Sequence, residues 1–127
     1  MVNEGEEAPD FELQSHDGGE TVRLSSYRGG RWVVLYFFPK AFTSGCTRET
    51  QEFARLWGGE FEKLGVVVLG ISTDSVSTQR RFAEKYGVKF KLLSDSEKRA
   101  SQAYGVLRPT GGTAERVTFI INPEQGG

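Results

Sequence analysis

The only cysteine of this 127-residue chain, Cys46, lies where a strand-like segment gives way to a helix-like one. The preceding residues 31–38 are β-branched and aromatic and end at Pro39, which is typical of a buried strand. After Cys46, apolar residues recur at spacings of three and four, as on one face of a helix: Phe53, Leu56, Trp57, Phe61 and Leu64. Cys46 lies seven residues before Phe53, so we expect its sulfur to share that face and point inward.

The predicted place of Cys46 in the first turn of a helix favours its thiolate form. The first N–H groups of a helix have no intrahelical partner and carry partial positive charge, which stabilises an anion. Thr43 lies three residues upstream, and if its hydroxyl caps the helix, Cys46 is the third helical residue. A thiolate there is a candidate nucleophile. The alternative is an inert cysteine that only fills space as a small apolar side chain.

The predicted elements that would position Cys46 alternate between strands and helices. We predict strands at residues 10–14, 22–24, 31–38, 65–72, 90–93 and 116–121, and helices after Cys46, from Asp74 to Gly87, and from Asp95 or Ser96 to Tyr104. Two buried strands around the Cys46 helix form a βαβ unit, so they should be parallel. Gly58 and Gly59 weaken or interrupt that helix, and His16, in the first turn, is expected to be exposed. In such α/β domains reactive groups gather beyond the carboxyl ends of the strands, which favours a functional Cys46.

Composition excludes several classes of function. Sixteen Lys and Arg against 17 Asp and Glu give a net charge of −1, which offers no electrostatic case for nucleic acid or anionic membrane. No apolar run reaches the roughly 18 residues of a membrane span, and residues 1–7 are too acidic for a secretion signal. We therefore expect one cytoplasmic domain over residues 1–127. A single Cys excludes an internal disulfide, and with a single His it excludes a common Cys/His zinc site, so we expect no metal and no cofactor.

The spacing Pro39-x-x-x-Thr43-x-x-Cys46 resembles that of the peroxiredoxins, thiol peroxidases built on a thioredoxin-like fold. Flanking segments narrow the resemblance to the subgroup called bacterioferritin comigratory protein or PrxQ: residues 36–40, 45–49, 69–74 and 116–121. The resemblance covers roughly residues 5–124 and implies an α/β fold in which a central mixed sheet is flanked by helices. It also implies that Cys46 is the peroxidatic cysteine, Thr43 and Arg116 are its polar partners, Pro39 shields the thiolate and Glu49 holds the arginine.

The chemistry of these residues agrees with the resemblance. A nearby Arg116 would favour the thiolate, but a lower thiol pKa also reduces nucleophilicity, so the net gain is only a few-fold. Fast peroxide reduction therefore needs donors aimed at the breaking O–O bond. Each residue also has a simpler interpretation, in which Thr43 is only a cap, Arg116 an exposed charge and Glu49 an acid suited to the helix dipole. Arg108 is a rival for the arginine role, and Arg116 is preferred because a strand positions a group more rigidly than a loop.

The sequence departs from the subgroup in two places. Many members carry a resolving cysteine five residues after the peroxidatic one, where this chain has Gln51, so an external thiol such as thioredoxin or glutaredoxin must reduce the sulfenic acid. The family also continues with a further strand and helix after residues 122–127. Without them the strand at 116–121 is expected to be an uncovered edge, either because the chain is truncated or because another chain covers it. We hypothesise self-association through this edge.

The resulting prediction is a peroxidase of hydrogen peroxide and organic hydroperoxides. A dithiol oxidoreductase of the thioredoxin kind would need a cysteine at position 43, where Thr43 stands. A nonenzymatic redox sensor on the same scaffold is an alternative, and it would tolerate loss of Arg116 or Thr43. An inactive truncated fragment is a further alternative.

Overall fold

The computed structural model describes residues 2–18, 20–56, 61–110 and 112–126, except for the side chains of residues 44, 46, 56 and 62. Its strands are β1 (Glu12–Ser15), β2 (Thr21–Arg23), β3 (Val33–Phe37), β4 (Val67–Ser72), β5 (Lys91–Ser94) and β6 (Val117–Ile121). Its helices are a 3-10 helix (Leu24–Tyr27), α1 (Ser44–Leu56), the three-residue α2 (Glu62–Leu64), α3 (Val76–Tyr86) and α4 (Arg99–Ala103). None of the helices in these ranges is long and apolar enough to span a membrane.

The strands form one mixed sheet in the order β2-β1-β5-β4-β3-β6. Strands β3, β4 and β5 are mutually parallel, whereas β6 pairs antiparallel with β3, and β1 pairs antiparallel with both β2 and β5. The predicted βαβ unit around Cys46 is therefore confirmed, and the first two predicted strands pair as a hairpin. Strand β6 lies at the edge of the sheet, also as expected.

Strand β3 is buried along its whole length because both faces of the sheet are covered. On one face Leu35 and Phe37 pack in a cluster with Tyr104, beside α4. On the other face Tyr36 packs in a cluster with Phe82 of α3. Fully burying one such side chain stabilises the fold by about 1.5–3 kcal/mol, so β3 is a rigid support for the residues that follow it.

Two predicted helix starts are wrong, by one residue for α3 and by three or four residues for α4. The cap of α3 is Ser75, whose side chain accepts from the Thr78 N–H at 3.2 Å, and not Asp74. Helix α4 begins at Arg99 rather than at Asp95 or Ser96, because the Asp95 carboxylate reaches forward to accept from backbone N–H groups of α4. The predicted end of α3 at Gly87 is confirmed, with φ of 65° in the left-handed region that glycine favours.

The expected exposure of His16 is wrong. The side chain is 9% exposed, and its Nδ1 accepts from the Leu92 N–H of β5 at 3.1 Å, so the hairpin packs this residue onto the neighbouring strand.

The single apolar face predicted after Cys46 is correct only in part. Phe53 and Phe61 pack against the cluster around Tyr36, but Leu64, at the end of α2, is 73% exposed. Helix α2 has only three residues and does not continue the apolar face of α1. The spacing of apolar residues that predicts burial within α1 therefore does not predict burial of Leu64. The Gly58-Gly59 pair and Trp57 lie outside the described residues.

Candidate active site

The turn between β3 and α1 places Cys46 beyond the carboxyl end of a buried strand. The half-buried Pro39 follows β3, and α1 begins directly after Thr43, which makes Cys46 the third helical residue, as predicted. The Thr43 hydroxyl donates to the Lys40 carbonyl at 2.9 Å, and the Thr43 carbonyl accepts from Thr47 N–H at 2.9 Å. The expected inward direction of the Cys46 sulfur concerns a side chain outside the described part.

The antiparallel pairing of β6 brings Arg116 to the same place. Val117 lies opposite Phe37, the last residue of β3, so the residue before β6 must lie near the start of α1. A Cβ atom added at Gly45 would overlap Nη2 of Arg116 and would lie 3.0 Å from its Cζ. The guanidinium therefore lies against the backbone of the residue next to Cys46, although Arg116 is exposed overall. Only glycine leaves room for this approach, and the importance of Gly45 was not predicted from the sequence.

Glu49 is half-buried on α1 and responds to the same guanidinium. Burial raises the pKa of its carboxyl, and the charge of Arg116 acts in the opposite direction. Its Oε1 atom is buried and has no hydrogen-bond partner. Glu49 is thus in the electrostatic range of Arg116, and the idea that Glu49 holds the arginine stays a prediction.

A cleft of about 520 Å³ opens beside the first turns of α1. It is lined by Gly45, Arg48, Glu49, Glu52, Phe53 and Arg116. The rival arginine, Arg108, does not belong to this lining, and its backbone N–H donates to the Thr113 carbonyl in the loop before β6. Of the two arginines, Arg116 lines this cleft beside the start of the Cys46 helix and Arg108 does not.

Asp74 contributes to the site in a way that sequence reasoning missed. Its carboxylate accepts from the Ala41 N–H at 2.8 Å and from the Ser72 hydroxyl at 2.7 Å, so it ties the turn before α1 to the end of β4. The sequence carried a partial signal, because an acid directly after a buried parallel strand lies at the edge where active sites form.

The chain as a whole is similar to known proteins. The sequence matches the AhpC/TSA family over residues 4–126. The chain belongs to this family. It is 42% identical to Peroxiredoxin Bcp of Bacillus subtilis (strain 168), a match that covers 94% of this chain and 78% of that protein. It is 40% identical to the putative peroxiredoxin bcp of Coxiella burnetii, over 97% of this chain and 83% of that protein.

Solved peroxiredoxin structures agree with the sequence comparisons. The crystal structure of peroxidoxin BcpB from Mycobacterium tuberculosis has a TM-score of 0.90 at 36% identity and covers 99% of this chain and 82% of that chain. The resemblance to the bacterioferritin comigratory protein and PrxQ peroxiredoxins is therefore confirmed. The mixed sheet with flanking helices and the enzyme class, a thiol-dependent peroxidase, are confirmed with it.

Proposed function

We propose that this peroxiredoxin reduces hydrogen peroxide and organic hydroperoxides, and that the thiolate of Cys46 is the only group of the protein that reacts with them. The observation that carries the proposal is the Arg116 guanidinium lying against Gly45 in the first turn of the Cys46 helix. A cation there favours the thiolate and offers a planar fork of donors to a peroxide. Support for organic substrates comes from the Xanthomonas campestris bacterioferritin comigratory protein, studied for alkyl peroxide reduction, which has a TM-score of 0.83 at 35% identity over 91% of this chain and 76% of that one.

In the oxidative step the Cys46 thiolate attacks one peroxide oxygen and the O–O bond breaks. The attacked oxygen becomes the hydroxyl of a sulfenic acid, and the other leaves as hydroxide or alkoxide and takes a proton from water. Arg116 and the backbone N–H of Cys46 donate to the oxygens as negative charge moves between them. The Thr43 hydroxyl donates to the Lys40 carbonyl in the structure. To join the donors to the peroxide, this hydroxyl rotates away from the carbonyl and toward the peroxide.

Two further residues serve the same step. Pro39 lies half-buried at the end of β3 and shields the thiolate from water. Glu49 holds the direction of the Arg116 fork by electrostatic attraction. Burial raises the pKa of the Glu49 carboxyl, and the smaller, opposite effect of the Arg116 charge on this pKa supports the role.

Resolution uses an external thiol because the chain has a single cysteine. The first thiol condenses with the sulfenic acid to a mixed disulfide and releases water, and a second thiol releases Cys46 and forms the reductant's own disulfide. A dithiol protein such as thioredoxin or glutaredoxin supplies both thiols. Such reductants are kept reduced in the cytoplasm, so we place this single domain, residues 1–127, there.

Intact mass after one equivalent of hydrogen peroxide tests the reaction. We expect a gain of one oxygen, its reversal by dithiothreitol, and no gain in Cys46→Ser. Steady-state peroxide consumption with dithiothreitol should likewise disappear in that variant. Peroxide consumption that survives Cys46→Ser would refute the proposal, as would a sulfur that stays reduced.

We propose separately that two copies of the chain associate through β6. The strand pairs with β3 on one side, Ile120 on β6 is 61% exposed, and Trp32, directly before β3, is 50% exposed. Unpaired apolar edge strands are templates for pairing with another chain. We expect a concentration-dependent dimer in sedimentation velocity that Ile120→Lys weakens. Leu64→Lys, at an apolar residue that is 73% exposed and lies away from β6, is the matched control, and a monomer at high concentration would refute the idea.

A further inference from the structure

Phe42, directly before Thr43, has a backbone conformation that its side chain disfavours. Its φ is 67°, in the left-handed region, which is uncommon for non-glycine residues and a genuine outlier for a bulky one. The Cβ atom of an L-residue crowds the following carbonyl oxygen in this conformation, so some other interaction must hold it there. Lys98 and Gln125 are the other non-glycine residues with positive φ in the described ranges.

Contacts from α3 supply that interaction. The Phe42 ring meets Phe82 edge to face at 5.2 Å between centroids and lies 6.4 Å from the Tyr86 ring. The Lys85 ammonium is 6.0 Å from the Phe42 centroid. The Phe42 side chain remains 44% exposed, so burial alone does not fix it, and the directional ring and cation contacts specify its position.

The same turn is also held at the preceding residue. The Ala41 N–H donates to Asp74, which follows β4, and Phe42 contacts α3, which follows Asp74. Both restraints on the turn thus come from one neighbouring segment, and Thr43 is the next residue after them. The direction of the Thr43 hydroxyl and the start of α1 depend on the φ of Phe42.

We propose that Phe42 is a positioning residue for the peroxide reaction, an inference that rests on the proposed function. Its ring, held by α3, keeps the residue left-handed and thereby places Thr43 relative to Cys46. In an alanine variant the Cβ atom still crowds the following carbonyl oxygen, but no ring contacts α3 to hold the left-handed conformation. The turn therefore relaxes and Thr43 moves. Glycine adopts the left-handed conformation without that cost, so it retains part of the geometry.

The test compares Phe42→Tyr, Phe42→Gly and Phe42→Ala in single-turnover oxidation by hydrogen peroxide. Reaction of the same thiolate with iodoacetamide, measured in parallel, corrects for changes in ionisation. We expect the ratio of peroxide to iodoacetamide rate constants to be unchanged in the Tyr variant and lowered in the other two. The ratio for glycine should exceed that for alanine by at least about fivefold, as the cost of the left-handed conformation for an L-residue implies.

Lys98→Gly and Lys98→Ala form the matched control. Lys98 has φ of 66° and precedes α4, so glycine should be the more stable of the two by thermal unfolding, with no change in the rate ratio. If the alanine variant fails to fold, Tyr86→Leu is the second test. This substitution removes one ring contact and leaves Phe42 in place, and it should also lower the ratio of rate constants.

Three results would overturn the inference. Equal ratios for the glycine and alanine variants would show that the backbone conformation does not matter, and a higher ratio for alanine would reverse its sign. An unchanged ratio in Tyr86→Leu would remove α3 from the mechanism. A wild-type protein that consumes no peroxide would instead refute the proposed function itself, before any variant is compared.

Discussion

Two strand-to-helix junctions lie side by side beyond the carboxyl ends of the neighbouring parallel strands β3 and β4, and they are held in different ways. After β4, the junction to α3 uses its own residues: Ser75 caps the helix by accepting from Thr78, and Gln79 donates to the Ser72 hydroxyl at 2.8 Å. After β3, the junction to α1 has a local bond from the Thr43 hydroxyl to the Lys40 carbonyl and is also held by residues distant in sequence. Asp74 accepts from Ala41, and Arg116 lies against Gly45.

The difference shows how a reactive turn can be ordered by residues that are distant in sequence. A locally capped junction uses its hydroxyls to satisfy its own backbone, as Ser75 does. At the start of α1 the Thr43 hydroxyl also donates to a nearby carbonyl, that of Lys40, but two further restraints come from distant residues, Asp74 and Arg116. Such a junction depends on tertiary packing, and its function should be more sensitive to mutation than its stability.

The largest effect should come from removing the groups that act on peroxide. We expect Arg116→Ala and Thr43→Val each to lose about 2–4 kcal/mol of barrier lowering, roughly 30- to 1,000-fold in the stopped-flow rate with hydrogen peroxide. Arg108→Ala is the matched control, since this arginine does not line the cleft, and its rate should not change. An unchanged rate in Arg116→Ala would remove that residue from the chemistry.

A single methyl group should separate activity from stability. In Gly45→Ala the new Cβ would displace the far end of Arg116, a flexible group that can move cheaply, while alanine raises helix propensity by up to about 1 kcal/mol. We expect a rate loss approaching that of Arg116→Ala, with unfolding by urea no easier than in the wild type. Gly30→Ala, with open space around its Cβ, is the control. A wild-type rate in Gly45→Ala would show that the guanidinium does not need this position.

The two junctions should respond differently to the loss of adjacent polar residues. Asp74→Ala leaves the Ala41 N–H without its partner and should cost about 1–3 kcal/mol of unfolding free energy and also lower the peroxide rate. Ser75→Ala removes only the cap of α3 and should cost about 0.5–2 kcal/mol with an unchanged rate. Urea titration and stopped-flow measurement on both variants check this. Equal effects on the rate would mean that the junctions are not independent.

The smallest effect concerns a residue remote from both junctions. Burial lowers the pKa of His16, whose Nδ1 accepts from the Leu92 N–H, while Asp17 raises it and Lys91 and Arg80 lower it. The unfolded chain therefore binds the proton first, so this stabilisation is complete above about pH 6.5 and is lost as the pH falls toward the folded pKa.

His16→Asn keeps an acceptor that does not titrate in this range. Urea titrations at pH 7.5 and 5.5 should show a larger loss of stability at the lower pH in the wild type than in His16→Asn. The same loss in both proteins would assign it to other groups. The peroxide rate of the variant at pH 7.5 should equal that of the wild type.

Much of the fold was predictable because the signals are local. The buried strands β3 and β4 and the stop at Gly87 follow from composition, periodicity and the conformational freedom of glycine. The strand-like run before Cys46, the helical spacing after it and Thr43 as a cap predicted the place of Cys46 in the first turn of α1, and the Pro39, Thr43 and Cys46 spacing indicated the family. His16 and Leu64 were misassigned because their exposure depends on which distant segments cover them.

The sequence by itself determined which groups could do chemistry, because side-chain type and spacing along one helix turn are fixed by the chain. Only the tertiary structure decided which arginine lies against Gly45 at the start of α1, since that choice depends on the antiparallel register of β6 against β3. It also decided that position 45 must lack a side chain and that Phe42 is held in the left-handed region. Both follow from contacts of this turn with Arg116 and Phe82, which lie more than 30 residues away in sequence.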